Sequence, residues 1–217
     1  MAASPSPQQQ SSSDTDSPSG GLSFCELVKQ GRLTIEPARV STSGFKTAAV
    51  THVGGKLQWQ TPWTKVPFHP RKFQEDSSDK VSLALRCGED GFLVELGEAL
   101  DSWALSTARA NSMTLFGRTL SPTEIVKAYT PLLRKNEDAR RPLLKTKIWI
   151  GGSQQAKVWD AAGARRTFPT NLRNYEARAS QVLKGMWFHS GRFGLTLETT
   201  DLQARPREDS DERCPFT

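Results

Sequence analysis

Leu144-Lys145-Thr146-Lys147-Ile148-Trp149-Ile150 alternates apolar or small side chains with basic and aromatic ones. Successive side chains of a strand point to opposite faces. Thr146, Ile148 and Ile150 therefore share one face, and Lys145, Lys147 and Trp149 share the other. Gly151 and Gly152 follow, and Ala156 to Asp160 returns with Lys157 and Trp159 opposite Val158. The spacing predicts a hairpin with one apolar face and one basic, aromatic face.

Working outward, more of the chain reads as short strands. Arg32 to Pro37 and Phe45 to Val53 are extended, and Gly54-Gly55 predicts a hairpin into Lys56 to Thr61. Pro62, Pro67 and Pro70 make the next segment irregular, anchored by Trp63 and Phe68. Val81, Leu83, Leu85 and Cys87 line one face of a further strand. The period then changes. Phe92, Leu96, Leu100 and Trp103 form a helical stripe within Glu89 to Ala110. Ser121, Pro122 and Glu124 spell a capping box, with Ile125, Val126, Tyr129, Leu132 and Leu133 as the apolar face and Pro131 limiting the end. A closing hairpin turns at His189 to Arg192, between Gln181 to Phe188 and Phe193 to Leu202. Roughly eight short strands with helices inserted mid-chain predict a mainly β fold built on an antiparallel sheet or barrel.

The 217 residues carry 29 Lys and Arg against 23 Asp and Glu, a net +6. The excess is local. Arg134 to Arg192 holds 13 bases and four acids, net +9, so the rest of the chain is net negative. The same stretch contains Trp149, Trp159 and Trp187, three of the six tryptophans. Such a field attracts a polyanion and is weakened by salt. Residues 1–21 (Ser, Pro, Gln and Gly) read as a disordered tail, and 205–217 as a flexible mixed-charge tail. Residues 22–204 then form one domain. The hydrophobic share of 36 % is low partly because of these ends.

Chemistry is poorly represented. His52, His69 and His189 are isolated, and Cys25, Cys87 and Cys214 have no ligand spacing. The glycine pairs lack the Lys-Ser/Thr of a phosphate loop. No catalytic residue, metal or cofactor is expected. No run of 18 apolar residues is present, and the start lacks the basic and apolar regions of a secretory signal, so a reduced, intracellular, membrane-free protein is expected. The basic, aromatic strands match what unpaired bases require, since ammonium groups meet phosphates while indoles meet base faces. The competing reading buries the tryptophans and spreads the lysine stems over them. Candidate contacts are Lys145, Lys147, Trp149, Lys157, Trp159, Arg165, Arg166, Lys184, Trp187, Phe188, Arg192 and Phe193. Arg140-Arg141 is a further loop pair.

The order of motifs resembles a known family. LQWQTPWTKVPF (57–68) is similar to the Q-T-P-x-x-x-x-P-F segment of single-stranded DNA-binding proteins of large nucleocytoplasmic DNA viruses. Leu83-Ala84-Leu85, Ala110-Asn111-Ser112, Phe116-Gly117 and Ser121 through Leu132 continue the likeness. Lys145-Thr146-Lys147-Ile148, Trp187-Phe188 and Gly191-Arg192-Phe193-Gly194 complete it. The resemblance spans Leu57 to Leu202. It implies a divergent oligonucleotide-binding (OB) fold, an OB-like antiparallel barrel of the T7-like phage single-stranded DNA-binding type, coating unwound DNA during replication in a nuclear or viral compartment. It points to Lys145, Lys147 and the Trp187/Phe188 to Phe193 hairpin, and not to Trp149 or Trp159. Two departures stand out. His69-Pro70 replaces the family's glycine, and Arg205, Arg207 and Arg213 dilute the acidic tail. The expected partner is single-stranded DNA, or RNA on the same phosphate and stacking chemistry. The alternative is an assembly subunit of a larger protein or ribonucleoprotein complex.

Overall fold

The computed structural model describes residues 26, 28, 30, 32–42, 44–52, 55–70, 78–88, 91–135, 141–169, 171–173 and 175–207. The expected tail at 1–21, Arg140, Cys25 and Cys214 lie outside them. In chain order the strands are β1 (Leu33–Ile35), β2 (Arg39–Val40), β3 (Lys46–His52), β4 (Gln58–Gln60), β5 (Thr64–Lys65) and β6 (Lys80–Arg86). Three helices follow: α1 (Phe92–Ala110), α2 (Ser112–Phe116) and α3 (Pro122–Ala128). The remaining strands are β7 (Tyr129–Thr130), β8 (Leu133–Arg134), β9 (Leu143–Trp149), β10 (Lys157–Trp159), β11 (Arg165–Arg166), β12 (Tyr175–His189) and β13 (Arg192–Pro206).

The closing hairpin organises the sheet. β12 and β13 pair antiparallel from Tyr175↔Pro206 to His189↔Arg192. Ser190 and Gly191, with φ of 48° and 72°, form the tight left-handed turn that matches strand twist. Every other part of the sheet attaches directly or indirectly to this ribbon. β3, β4 and β5 dock in turn along β12, while β7, β9 and β10 dock along β13. The final strand reaches Pro206, so Arg205 and Pro206 belong to the sheet.

The fold is mainly β with inserted helices, and its pairing differs from an antiparallel barrel in two respects. β7, β9 and β10 run parallel to β13, each reached by a long connection. Among the described residues no path of pairings returns to its start, so the sheet is open there.

The predicted hairpin from Leu144 to Asp160 does not form as a ladder. β9 meets β13 at Glu198 and Thr199, and β10 meets the same edge at Asp201 to Gln203. The two run in one direction, and Gly151-Gly152 lies in a detour between them. β3 and β4 do the same along β12, at Gly185 to Phe188 and at Ser180 to Val182. Both interruptions face register shifts of the ribbon, where Thr200 is an extra residue in β13 opposite Ser180/Gln181 and Lys184 is one in β12 between Leu183 and Gly185. A bulge bends its strand and re-aims neighbouring edges, so a neighbour leaves and rejoins there.

Helix α1 buries Leu96, Leu100 and Trp103 of the predicted stripe, with Leu93 buried in place of Phe92, which is only partly buried. Its apolar partners include Leu83 and Leu85 of β6, Leu144 and Ile148 of β9, and Leu133, all in one core. Ser121 Oγ accepts from the Glu124 N–H at 3.3 Å, and the Glu124 carboxylate accepts from the Ser121 N–H at 2.8 Å. That capping box is the predicted one, yet the helix stops at Ala128. Val126 is 63 % exposed, because Tyr129 to Leu133 leaves the helix and supplies β7 and β8 instead.

Candidate nucleic-acid interface

β9 lies between β6 and β13. Its antiparallel register with β6 sets Lys147 opposite Ser82 and Trp149 opposite Lys80, and its parallel register with β13 brings Glu198 beside Lys147. These residues share the face away from the core, while Leu144, Thr146 and Ile148 are buried. The face alternation expected for Lys145, Lys147 and Trp149 is therefore present.

Above this face runs a groove of about 470 Å³. One wall carries Lys80 and Ser82 of β6 with Lys145 and Lys147 of β9. The opposite wall carries Trp187 and His189 of β12, with Phe45 just before β3. Phe45 and His189 stack, with ring centroids 5.6 Å apart and an interplanar angle of 20°. Phe45 remains 42 % exposed, unusual for so large an apolar ring. Trp187 stands opposite Gly194 in the ribbon. A Cβ at Gly194 would lie 3.0 Å from the indole and 2.8 Å from the Thr130 carbonyl oxygen, so only glycine lets the ring lie across β13. Thr130 also lines the groove, and its Oγ1 is buried without a hydrogen-bond partner.

The cations are not equivalent. Lys147 Nζ donates to Ser82 Oγ at 3.1 Å. Lys145 has no carboxylate partner among the described residues. Burial first, then the charges of Arg134 and Lys147, hold its ammonium below the ordinary lysine range. Lys80 and Lys184 both reach one acid, Glu198, at 2.6 and 3.2 Å. Burial alone would raise the Glu198 carboxyl, but the hydrogen bonds and charges of both lysines outweigh it and hold it below the usual range. Lys80 Nζ also sits 5.3 Å from the centre of the Trp149 ring. Trp149 is half-buried beneath that lysine, and its Nε1 has no partner.

Two expected stacking residues are instead core. Phe188 is 8 % exposed and Phe193 is fully buried. Phe116 meets them edge-on at 5.4 and 5.2 Å, and Tyr129 lies 5.1 Å from Phe193. No base can reach rings enclosed in this way. Adjacent strand residues face opposite sides, so burying Phe188 is what turns Trp187 and His189 outward. Arg192 is exposed at the hairpin tip beside α3, outside the groove.

Lys157, Trp159, Arg165 and Arg166 are separated from it as well. They lie where β10 and β11 join the far half of the ribbon. Arg165 covers the Trp159 ring at 5.3 Å, and Arg166 is paired with Asp160 at 2.8 Å. The structure thus brings together Lys145, Lys147 and Trp187 from the expected set, and adds Lys80, Phe45, His189 and Glu198. Among the described residues no helix is long and apolar enough to cross a membrane, and no three His, Cys, Asp or Glu side chains converge as metal ligands.

No family model and no curated protein matches the chain. Among solved structures it is similar to the single-stranded DNA-binding protein of bacteriophage Enc34, at TM-score 0.47 and 9 % identity over 85 % of this chain and 96 % of that one. The same phage protein in complex with single-stranded DNA gives 0.42 and 8 % over 81 % and 94 %. The single-stranded DNA-binding protein gp2.5 of bacteriophage T7 gives 0.43 and 12 % over 71 % and 96 %. The finer attribution to large nucleocytoplasmic DNA viruses finds no support in these comparisons.

Proposed function

We propose that this chain binds single-stranded DNA without sequence preference and performs no chemistry on it. One observation carries the reading: a single groove has Lys80, Lys145 and Lys147 on one wall and Trp187, His189 and Phe45 on the other. Phosphates meet the ammonium groups, while bases stack on the aromatic wall. Each stacked base contributes about 1–3 kcal/mol, and every base has a π-face, so the contact is tolerant of sequence. DNA is the strand that the motif resemblance implies, and RNA, which offers the same phosphates and stacking faces, is the alternative that the titration separates.

The test is a titration of a labelled dT oligomer at two salt concentrations, with duplex DNA and an RNA oligomer alongside. Lys145→Glu combined with Lys147→Glu sharply weakens dT binding, more so at low salt. Unchanged affinity in that variant overturns the assignment of the groove. Equal binding of duplex overturns the single-strand reading.

A further inference from the structure

The outward face of the β12–β13 ribbon continues beyond Glu198. In register across the sheet, Gln60 of β4, Ser180, Asp201 and Lys157 form one row, and Arg178, Gln203, Trp159 and Arg165 form the next. Directly paired strand residues share a face. These rows border a second depression of about 450 Å³, lined by Trp159, Arg178, Ser180 and three glutamines, Gln58, Gln60 and Gln203, with Asp201.

Trp159 is fixed in orientation. Its Nε1 donates to Asp201 Oδ1 at 3.3 Å, and the Arg165 guanidinium lies 5.3 Å from the ring centre. The ring is half-buried and still lines the depression. The charge state of the neighbourhood is equally specific. Arg166 is held by Asp160, and Arg205 by Glu176, each at 2.8 Å. Lys157, Arg165 and Arg178 are exposed, and none has a carboxylate partner among the described residues. An oriented indole, covered on one side by Arg165, beside two cations without a carboxylate partner, Lys157 and Arg178, repeats the chemistry of the first groove, with amide groups added at the rim.

We propose that this depression is a second nucleotide subsite for the same strand of DNA. A base stacks on Trp159, Arg178 and Lys157 take the flanking phosphates, and Gln58 and Gln60 offer hydrogen bonds to the base edge. The proposal rests on the reading of the first groove. Thr196 lines the first groove and Gln203 the second, and seven residues of strand separate them by roughly 23 Å at ~3.3 Å per residue. A short oligomer fills the first groove alone, whereas a long one engages both.

Affinities of dT oligomers of roughly 4 and roughly 16 nucleotides, the limits for one such domain, separate the two claims. Arg178→Glu with Lys157→Glu weakens the long oligomer by about tenfold and leaves the short one within about twofold. Trp159→Ala gives the same length-selective loss. Arg109→Glu, on the exposed side of α1, is the charge control and melting temperatures report folding. The proposal is overturned if the Arg178/Lys157 variant weakens both lengths equally or no more than Arg109→Glu does. If the wild-type protein binds neither oligomer, the first-groove reading fails instead.

Discussion

The Glu198 carboxylate lies 2.6 Å from the Nζ of Lys80, a lysine that lines the basic groove. Lys184 reaches the same group from the ribbon. This nearly buried acid keeps two lysines in place. On the function proposed above, a phosphate entering the groove competes with Glu198 for both.

Glu198→Gln removes that competition. Affinity for a dT oligomer rises several-fold at low salt, and the salt dependence steepens by about 0.7 in log–log slope for each additional phosphate contact. A titration across salt concentrations reads both quantities, and a loss of affinity contradicts the idea. Stability supplies a second readout. The carboxyl is held below its unfolded value, so its contribution is present above pH ~4.5. It is lost as pH falls through the lower folded value. The glutamine variant lacks that acid-side loss in thermal melts.

Gly194→Ala tests the aromatic wall. The added Cβ meets Trp187 and the Thr130 carbonyl oxygen, and the strand backbone cannot yield as a flexible side chain can. Overpacking of this kind costs roughly 1–3 kcal/mol. The melting temperature falls, tryptophan emission shifts as the indole is displaced, and dT affinity drops. An unshifted spectrum with full affinity contradicts the role assigned to Trp187.

Tyr129→Phe tests the link between α1 and the strand beneath the groove. Tyr129 Oη donates to Asp101 Oδ1 at 2.5 Å, and the Leu132 N–H donates to the same oxygen at 3.0 Å. Burial first, and then the Asp101 charge, pushes the phenol far above its ordinary range. The folded state thus retains a proton that the unfolded chain loses above pH ~10, so stability falls as pH rises through that region. The phenylalanine variant loses about 1–3 kcal/mol near neutrality, because Asp101 is left with fewer donors. Its melting temperature then declines less steeply on the alkaline side, which pH-dependent melts detect.

Much of this architecture was legible locally. The capping box at Ser121 to Glu124, the stripe on α1, the closing hairpin and the outward lysines of β9 each follow from spacing within a few residues. The errors share one physical origin. Gly151-Gly152 and Gly54-Gly55 predict hairpin ladders, and His52 and Gly55 do exchange the turn's two backbone bonds at 3.0 and 2.9 Å, but no ladder follows either turn: a short window cannot show the bulges of the β12–β13 ribbon that make a neighbouring strand pause and resume. Glu198 gives no local signal at all, since its partner Lys80 is 118 residues away. Phe45 and His189 meet only because β3 pairs with β12. Phe188 and Trp187 are adjacent aromatics of similar character, and only the packing of Phe116 and Tyr129 decides which one is enclosed.

The ribbon that holds the sheet together is made late. As the polypeptide leaves the ribosome, β4 and β5 have no edge to dock on until β12 appears, and β7 has none until β13, whereas β3 already has β1 and β2, β9 has β6 and β8, and β10 has β11. At ~5–20 residues per second, roughly 8 to 30 seconds separate the emergence of β3 from that of β13. The edges that belong to the ribbon stay unpaired until it emerges. Any ribosome stall before β13 therefore yields a chain that cannot complete its sheet.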